Sequence, residues 1–110
     1  MSKSFKIAIV RPGKQTLKTE CVGLQFPGWN GSIGILAGRQ PLLSVMEPGL
    51  ICITSEKGVK SYFATTGGFA EFQDNVATLL CDTLITPDDT PTDEQGRKLA
   101  ELIKQKQVNS

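Results

Sequence analysis

The chain has no histidine and three cysteines, Cys21, Cys52 and Cys81, set about thirty residues apart. A Ser-His or Cys-His nucleophile pair cannot be built within such a chain. No two cysteines have C-x-x-C spacing, and a zinc site would have to be made of thiolates and carboxylates alone. Each cysteine lies in a strand-like run, so all three are expected as buried free thiols, which fits a reducing compartment. Asp88-Asp89 could suggest a metal or acid pair, but adjacent residues of an extended segment point opposite ways. A solvated linker and helix entry is expected there. Asp82 interrupts the apolar run Val76–Ile85 and is expected to face solvent or to accept backbone hydrogen bonds at the end of the sheet. No catalytic residue, metal ligand or cofactor site is assigned.

The most unusual stretch is Gly28–Pro41, read as a tight glycine-rich loop whose glycines allow positive φ or close backbone approach. It lacks the G-K-[ST] ending of a phosphate loop, and the short Leu42–Met46 run that follows meets Pro48. Trp29 sits at its tip. The ring either folds back onto the domain edge or stays exposed as an anchor for another protein.

The elements that must position these residues read as short strands. Phe5, Ile7 and Ile9 alternate with Lys6 and Ala8, a half-buried strand. Arg11-Pro12-Gly13 turns the chain. Gln15–Thr19 is a polar strand near an edge, where Lys18 discourages mispairing. Val22, Leu24 and Phe26 alternate again. Leu42–Met46 precedes Pro48-Gly49, placed at i+1 and i+2 of a type II turn. Leu50–Thr54 and Val59–Thr65 flank a hairpin tip at Ser55–Gly58. Gly67-Gly68 breaks the pattern, Phe69, Ala70 and Phe72 resume it, and Gln73-Asp74-Asn75 turns into Val76–Ile85. About nine or ten strands at this spacing, with little helical periodicity before residue 87, imply a mainly β, antiparallel sandwich. The expected domains are residues 1–86 as the sandwich and 87–110 as linker and helix. For the helix, Thr90 is the expected N-cap, Pro91 the first helical residue and Thr92–Gln107 the body. Its apolar stripe is Leu99, Leu102 and Ile103, with Gln95 or Lys106 at its ends. Gly96 weakens the first turn by about 1 kcal/mol relative to alanine.

A length of 110 residues suits one domain. Twelve basic and eleven acidic residues leave a net charge of +1, without the basic excess that phosphate-backbone binding needs. Nucleic acid is therefore not an expected partner. No apolar run is long enough to span a bilayer. Met1–Ser4 leads straight into strand-like sequence, so no signal peptide is expected.

Gly31-Ser32-Ile33-Gly34-Ile35-Leu36-Ala37-Gly38-Arg39-Gln40-Pro41-Leu42-Leu43, followed by Glu47-Pro48-Gly49, resembles the signature of the epsilon subunit of F-type ATP synthase. Tyr62–Phe69 and Val76–Asp82 resemble two further segments of that family in the same order, so the likeness extends over residues 5 to about 86. It implies a flattened sandwich of about ten strands at the foot of the central stalk, between the gamma subunit and the c-ring. It further implies a non-catalytic rotor subunit that couples ion flow to ATP synthesis or hydrolysis. Such a subunit is held peripherally at the cytoplasmic face of the inner membrane, with contact to alpha and beta subunits open to the C-terminal helix. Carried over by position, the ring-facing side comprises Asn30, Gly31, Ser32, Ile33 and Arg39. The gamma-facing side is placed near Val10, Ser44, Val45 and Met46.

Ser32 stands where the family often has an acid, and Arg39 where it usually has histidine, so the charge pattern toward the ring differs here. Members commonly end in a two-helix hairpin that can extend and inhibit hydrolysis, whereas residues 87–110 accommodate one helix. The ATP-binding pattern of some members is not met by Thr92–Arg97. The expectation is coupling without a hairpin-type brake. The rival reading is a free-standing β-sandwich binding module for a peptide or carbohydrate, which predicts a pocket lined by aromatics. An enzyme is the third and weakest.

Overall fold

A computed structural model describes residues 3–109, with side chains described to Gln107. Met1 and Ser2, part of the segment read above for a signal peptide, lie outside the described residues, as does Ser110. Ten strands precede one helix: β1 (Phe5–Val10), β2 (Leu17–Cys21), β3 (Gly23–Gly28), β4 (Gly31–Leu36), β5 (Leu42–Met46), β6 (Gly49–Thr54), β7 (Lys60–Thr65), β8 (Gly68–Gln73), β9 (Val76–Cys81), β10 (Leu84–Ile85) and α1 (Glu94–Asn109). The strands are hydrogen-bonded in the order β10-β7-β6-β3-β5-β8-β9-β1-β2, with β4 on the flank of β3. The two halves of this sheet meet through a single β3–β5 pair, Gly28 opposite Met46, and curl over one core.

Inward positions on both halves fill that core. Phe5, Ile7 and Ile9 of β1 meet Leu24 and Phe26 of β3, Ile51 and Ile53 of β6, and Phe72 and Leu79 of β8 and β9. Phe5 and Phe72 pack edge to face, with ring centroids 5.4 Å apart. The mainly β sandwich therefore stands as read, with one pairing the alternation did not reveal: β1 runs parallel to β9. The polar strand with Lys18 is at the sheet edge, as β2.

Turn chemistry explains the connections. Gly13 at φ 67 follows Pro12, as a type II turn requires. Asp74 and Asn75, at φ 53 and 59, form the two-residue loop of β8–β9, with Gln73 opposite Val76. Positive φ at both central positions is the primed turn that matches strand twist, and Asp and Asn tolerate it. The Pro48-Gly49 expectation is overturned. Gly49 is absent from the positive-φ glycines of the described residues and starts β6 opposite Thr65. Its bare Cα makes room for Pro27, whose Cβ and Cγ would lie 3.0 Å from an added Cβ. The glycine-rich stretch is also corrected, because Gly31–Leu36 is strand β4 paired along β3. Ile33 and Ile35 point to the core at period two, and the intervening glycine does not prevent pairing.

Two strand exchanges between halves are stitched to each other. β7 passes into β8 through Thr66-Gly67, and β9 passes into β10 through Asp82-Thr83. Asp82 N–H donates to the Gly67 carbonyl at 2.9 Å, and Thr66 N–H to the Thr83 carbonyl at 3.3 Å. The buried Thr65 hydroxyl donates to the Gly67 carbonyl and accepts from the Gly67 N–H, both at 3.0 Å. Gly67 and Gly68 sit at φ 132 and 147, and a Cβ on Gly68 would overlap the Leu80 carbonyl oxygen.

The helix begins later than expected. Arg97 N–H donates to the Asp93 carbonyl, so Asp93 and not Thr90 is the N-cap residue. Asp89 instead closes a turn over residues 86–89, its Oδ2 accepting from Thr86 N–H at 2.8 Å. That is the linker role expected for Asp88-Asp89. The buried face of α1 is Gly96, Leu99 and Ile103 with Ala100 half-buried, whereas Leu102 and Lys106 are exposed. Gly96 belongs to this face because a Cβ there would lie 2.5 Å from Asp93 Oδ1 and 2.6 Å from Pro91 Cβ. The stripe rests on Tyr62, Ala64 and Ile85, flanked by Leu50 and Cys52.

Replacing Gly68 by alanine is expected to cost at least ~3 kcal/mol, from overlap with backbone added to strain. Gly13→Ala, with nothing near its Cβ, should cost only about 1 kcal/mol. Urea unfolding of the two variants separates these outcomes. Ile103→Ala should cost about 2–4 kcal/mol, read as lost helical circular dichroism at a lower urea midpoint than the wild type.

Candidate functional site

Four strands of one half present an outer face on which register decides which side chains align. Val45 of β5 lies opposite Phe69 of β8, Phe69 opposite Leu80 of β9, and Leu80 opposite Val10 of β1. Because side chains alternate, the residues flanking each of these point into the core, among them Met46, Ala70, Leu79 and Ile9. The result is a row of four apolar side chains across four strands, with Phe69 56% exposed. The next row along the strands is Leu43, Glu71, Thr78 and Ala8. Leu43 is 73% exposed. An exposed apolar row, extended at its β5 end by Leu43, is the kind of surface that interaction sites present.

Of the residues assigned to this side, Val10 and Val45 belong to the row. Met46 does not: it is 2% exposed and packs in the core. Parity is the reason, since β5 turns Leu43 and Val45 outward. Ser44 shares the inward parity, half-buried, with its hydroxyl donating to the Val45 carbonyl. Sequence reasoning missed Leu43, Phe69 and Leu80. Their signal was present in Leu79-Leu80-Cys81 and Phe69-Ala70, where apolar residues occupy the outward parity of half-buried strands.

The β3–β4 hairpin forms a second feature. Gly28 pairs with Gly31, leaving Trp29 and Asn30 as the loop, and Gly31 takes φ 110. A Cβ on Gly28 would come 2.5 Å from Ile33 Cδ1, so this glycine lets Ile33 fold over the tip. Trp29 is 72% exposed, which selects the exposed alternative for its ring. Asn30, Gly31 and Ser32 are exposed beside it, while Ile33 is half-buried against the core. Arg39 is not brought to this tip. It follows the opposite end of the six-residue β4, a strand length of roughly 20 Å at ~3.3 Å per residue. There Gly38 N–H donates to Asn75 Oδ1 at 2.9 Å, tying that turn to the β8–β9 loop.

The groups with chemical potential are dispersed. Among the described residues no three His, Cys, Asp or Glu side chains converge as a metal site. The cysteines are free; Cys21 and Cys81 are buried, but Cys52 is only half-buried, beside Tyr62 under α1. Burial pushes the Cys21 thiol up, partly offset by a backbone hydrogen bond at Gly23. Burial likewise raises Cys81; the Thr65 hydroxyl lowers it, Asp82 raises it and Arg11 lowers it. Tyr62 is raised by desolvation and by Cys52. The groove over β1 and β2 is lined by Lys6, Ile7, Ala8, Lys18 and Val76, and that over β3 and β4 by Gln25, Leu36 and Thr54. Neither has the aromatic lining that the binding-module reading predicts.

The fold is a small β-sandwich domain with an apolar row on the outer face of one half. The family model described as "ATP synthase, Delta/Epsilon chain, beta-sandwich domain" matches residues 4–87. The ATP synthase epsilon chains of two Desulfitobacterium hafniense strains, DCB-2 and Y51, are each 42% identical over 83 residues, covering 76% of this chain. This chain belongs to that ATP synthase delta/epsilon family. It spans 62% of the length of these curated relatives. Two solved structures share the fold. A chain of the Euglena gracilis mitochondrial ATP synthase structure, OSCP/F1/c-ring, has a TM-score of 0.71 at 19% identity, over 93% of this chain and 62% of that one. A chain of the Tetrahymena thermophila mitochondrial ATP synthase central stalk/c-ring structure has a TM-score of 0.62 at 21% identity, over 94% and 90%.

Stability should fall in alkaline solution. The folded thiol of Cys81 and phenol of Tyr62 titrate above their ordinary values of 9.0 and 10.0. Both keep their protons in the folded state at a pH where the unfolded chain has lost them. Stability is therefore full below about pH 8.5 and declines as pH rises through the raised values. Urea midpoints from about pH 7.5 to 10.5 should drop, and Cys81→Ala should make the drop shallower. A flat profile in the wild type would contradict the assignment.

Proposed function

We propose that this chain is a non-catalytic rotor component of an F-type ATP synthase, an epsilon chain that joins the gamma subunit to the c-ring. The observation that carries the reading is the exposed row Val45–Phe69–Leu80–Val10 in a domain of this family. Covering such a row removes apolar area from water, and aromatic anchors dominate the energetics of interfaces. The row, with Leu43, is the gamma-docking face. The hairpin tip of Trp29, Asn30, Gly31, Ser32 and Ile33 faces the ring, and Arg39, past the far end of β4, stands apart from that tip.

A stalk element must pass torque without yielding, and a close-packed core inside one continuous hydrogen-bonded sheet suits that task. The coupling role follows: rotation of the ring is handed through this domain to gamma, so ion flow and nucleotide turnover stay linked. The chain is held at the membrane surface through the complex, on the cytoplasmic face of the inner membrane.

The test is co-purification. Tagged chain added to detergent-solubilised ATP synthase from the same source should recover alpha, beta and gamma subunits. Phe69→Asp with Leu80→Asp should reduce that recovery by about a hundredfold while leaving the urea midpoint close to wild type, since both side chains are exposed. Elution of the wild-type chain alone would overturn the proposal.

A further inference from the structure

Glu71 borders the exposed apolar row, between outward Phe69 and outward Gln73 on β8. Its β8 position lies opposite Leu43 on one side and Thr78 on the other, with outward Phe69 two residues before it. Its side chain is exposed, and among the described residues the one ion pair is Glu94–Lys98 on α1, at 3.4 Å. Along its own row the first cation is Lys18, reached across Thr78 and Ala8, three strands away. At ~4.8 Å per strand that is about 14 Å, beyond the ~8 Å screening length at physiological ionic strength. Lys6, diagonal to it across β9, is two strands and one row distant. Among the described residues no cation forms an ion pair with this carboxylate.

We propose that Glu71 sets the specificity of the docking face, selecting a partner surface that is apolar except for one arginine or lysine placed over this carboxylate. The inference rests on the docking reading above and adds to it the chemistry of the partner. An apolar partner would strip water from Glu71 and put nothing in its place, which disfavours burial of the face. A guanidinium set among aliphatic side chains satisfies both parts of the surface. It pairs with the two carboxylate oxygens, while its stem lies against Leu43 and Phe69. Arginine fits better than lysine because its planar fork matches the carboxylate. The apolar row then supplies affinity, and Glu71 supplies orientation and rejection of wrong surfaces.

The experiment measures binding to the purified gamma subunit of the same complex, at low and physiological salt. Wild type, Glu71→Gln, Glu71→Lys and, as control, Glu56→Lys on the exposed β6–β7 turn are compared. Glu71→Gln should bind about tenfold more weakly and lose most of the salt dependence, and Glu71→Lys should bind about a hundredfold more weakly. Glu56→Lys should match wild type. A charge-swapped gamma, with the facing cation made acidic, should recover binding to Glu71→Lys. If wild type binds and both Glu71 variants bind within about twofold of it, this inference fails while the docking reading stands. If wild type does not bind gamma at all, the docking reading itself fails. Far-UV circular dichroism confirms that each variant is folded, and Glu71→Gln carries the test should Glu71→Lys not fold.

Discussion

Thr65, Gly67 and Gly68, packed against Leu80, Cys81 and Asp82, form the contact through which the sheet becomes a sandwich. Two crossings between the halves, running in opposite directions, lie side by side at this point, and each donates a backbone hydrogen bond to the other. A buried threonine hydroxyl that both donates and accepts holds the Gly67 peptide, so no backbone group is stranded where water is excluded. No residue with a side chain fits at Gly68. From this corner follow the positions of β8 and β9, hence the register that aligns Phe69 with Leu80, hence the outer apolar row. The outer apolar row is thus a downstream product of a backbone constraint.

The same geometry accounts for the division of labour across each strand. Inward parity is spent on Phe72, Ala70, Leu79 and Ile9, which close the core. Outward parity on the same strands carries apolar residues that contribute nothing to that core. On the other half of the sheet the equivalent surface is covered by the chain itself, as Leu99 and Ile103 of α1 settle on Tyr62, Ala64 and Ile85. One side of the sandwich is covered by the chain's own helix, and the other keeps apolar side chains exposed.

Much of the fold was legible because local chemistry and tertiary structure agree. The alternation of Phe5–Val10, the Pro12-Gly13 turn, the lysine on the edge strand and the Asp74-Asn75 loop each have one physical reading, and each stands. What was not legible depends on partners distant in sequence. Gly31–Leu36 looks like a loop until β3 lies beside it, and Gly49 looks like a turn residue until Pro27 occupies the space above it. Thr90 and Asp93 are both good caps, and the folded helix starts after Asp93, whose carbonyl accepts from Arg97 N–H. Gly96 reads as a weakness in an isolated helix but is the small residue its docked first turn requires. For the site, Met46 was misassigned because parity in a five-residue strand cannot be set without its neighbours. Phe69 and Leu80 were overlooked because an apolar residue in a strand is ordinarily core.

The parallel pairing of β1 with β9 has a kinetic side. Lys6 aligns with Val76 and Val10 with Leu80, so the first strand of the domain finds its neighbour some seventy residues later. Loop-closure entropy of that size must be met before the pair contributes anything, and folds dominated by such contacts form slowly. During synthesis β1 leaves the ribosome with only the polar edge strand β2 for company. Its second hydrogen-bonding edge stays unpaired until β9 has emerged. The nascent chain therefore has a defined period of exposure to aggregation and to chaperones, and it ends with the residues that build the corner.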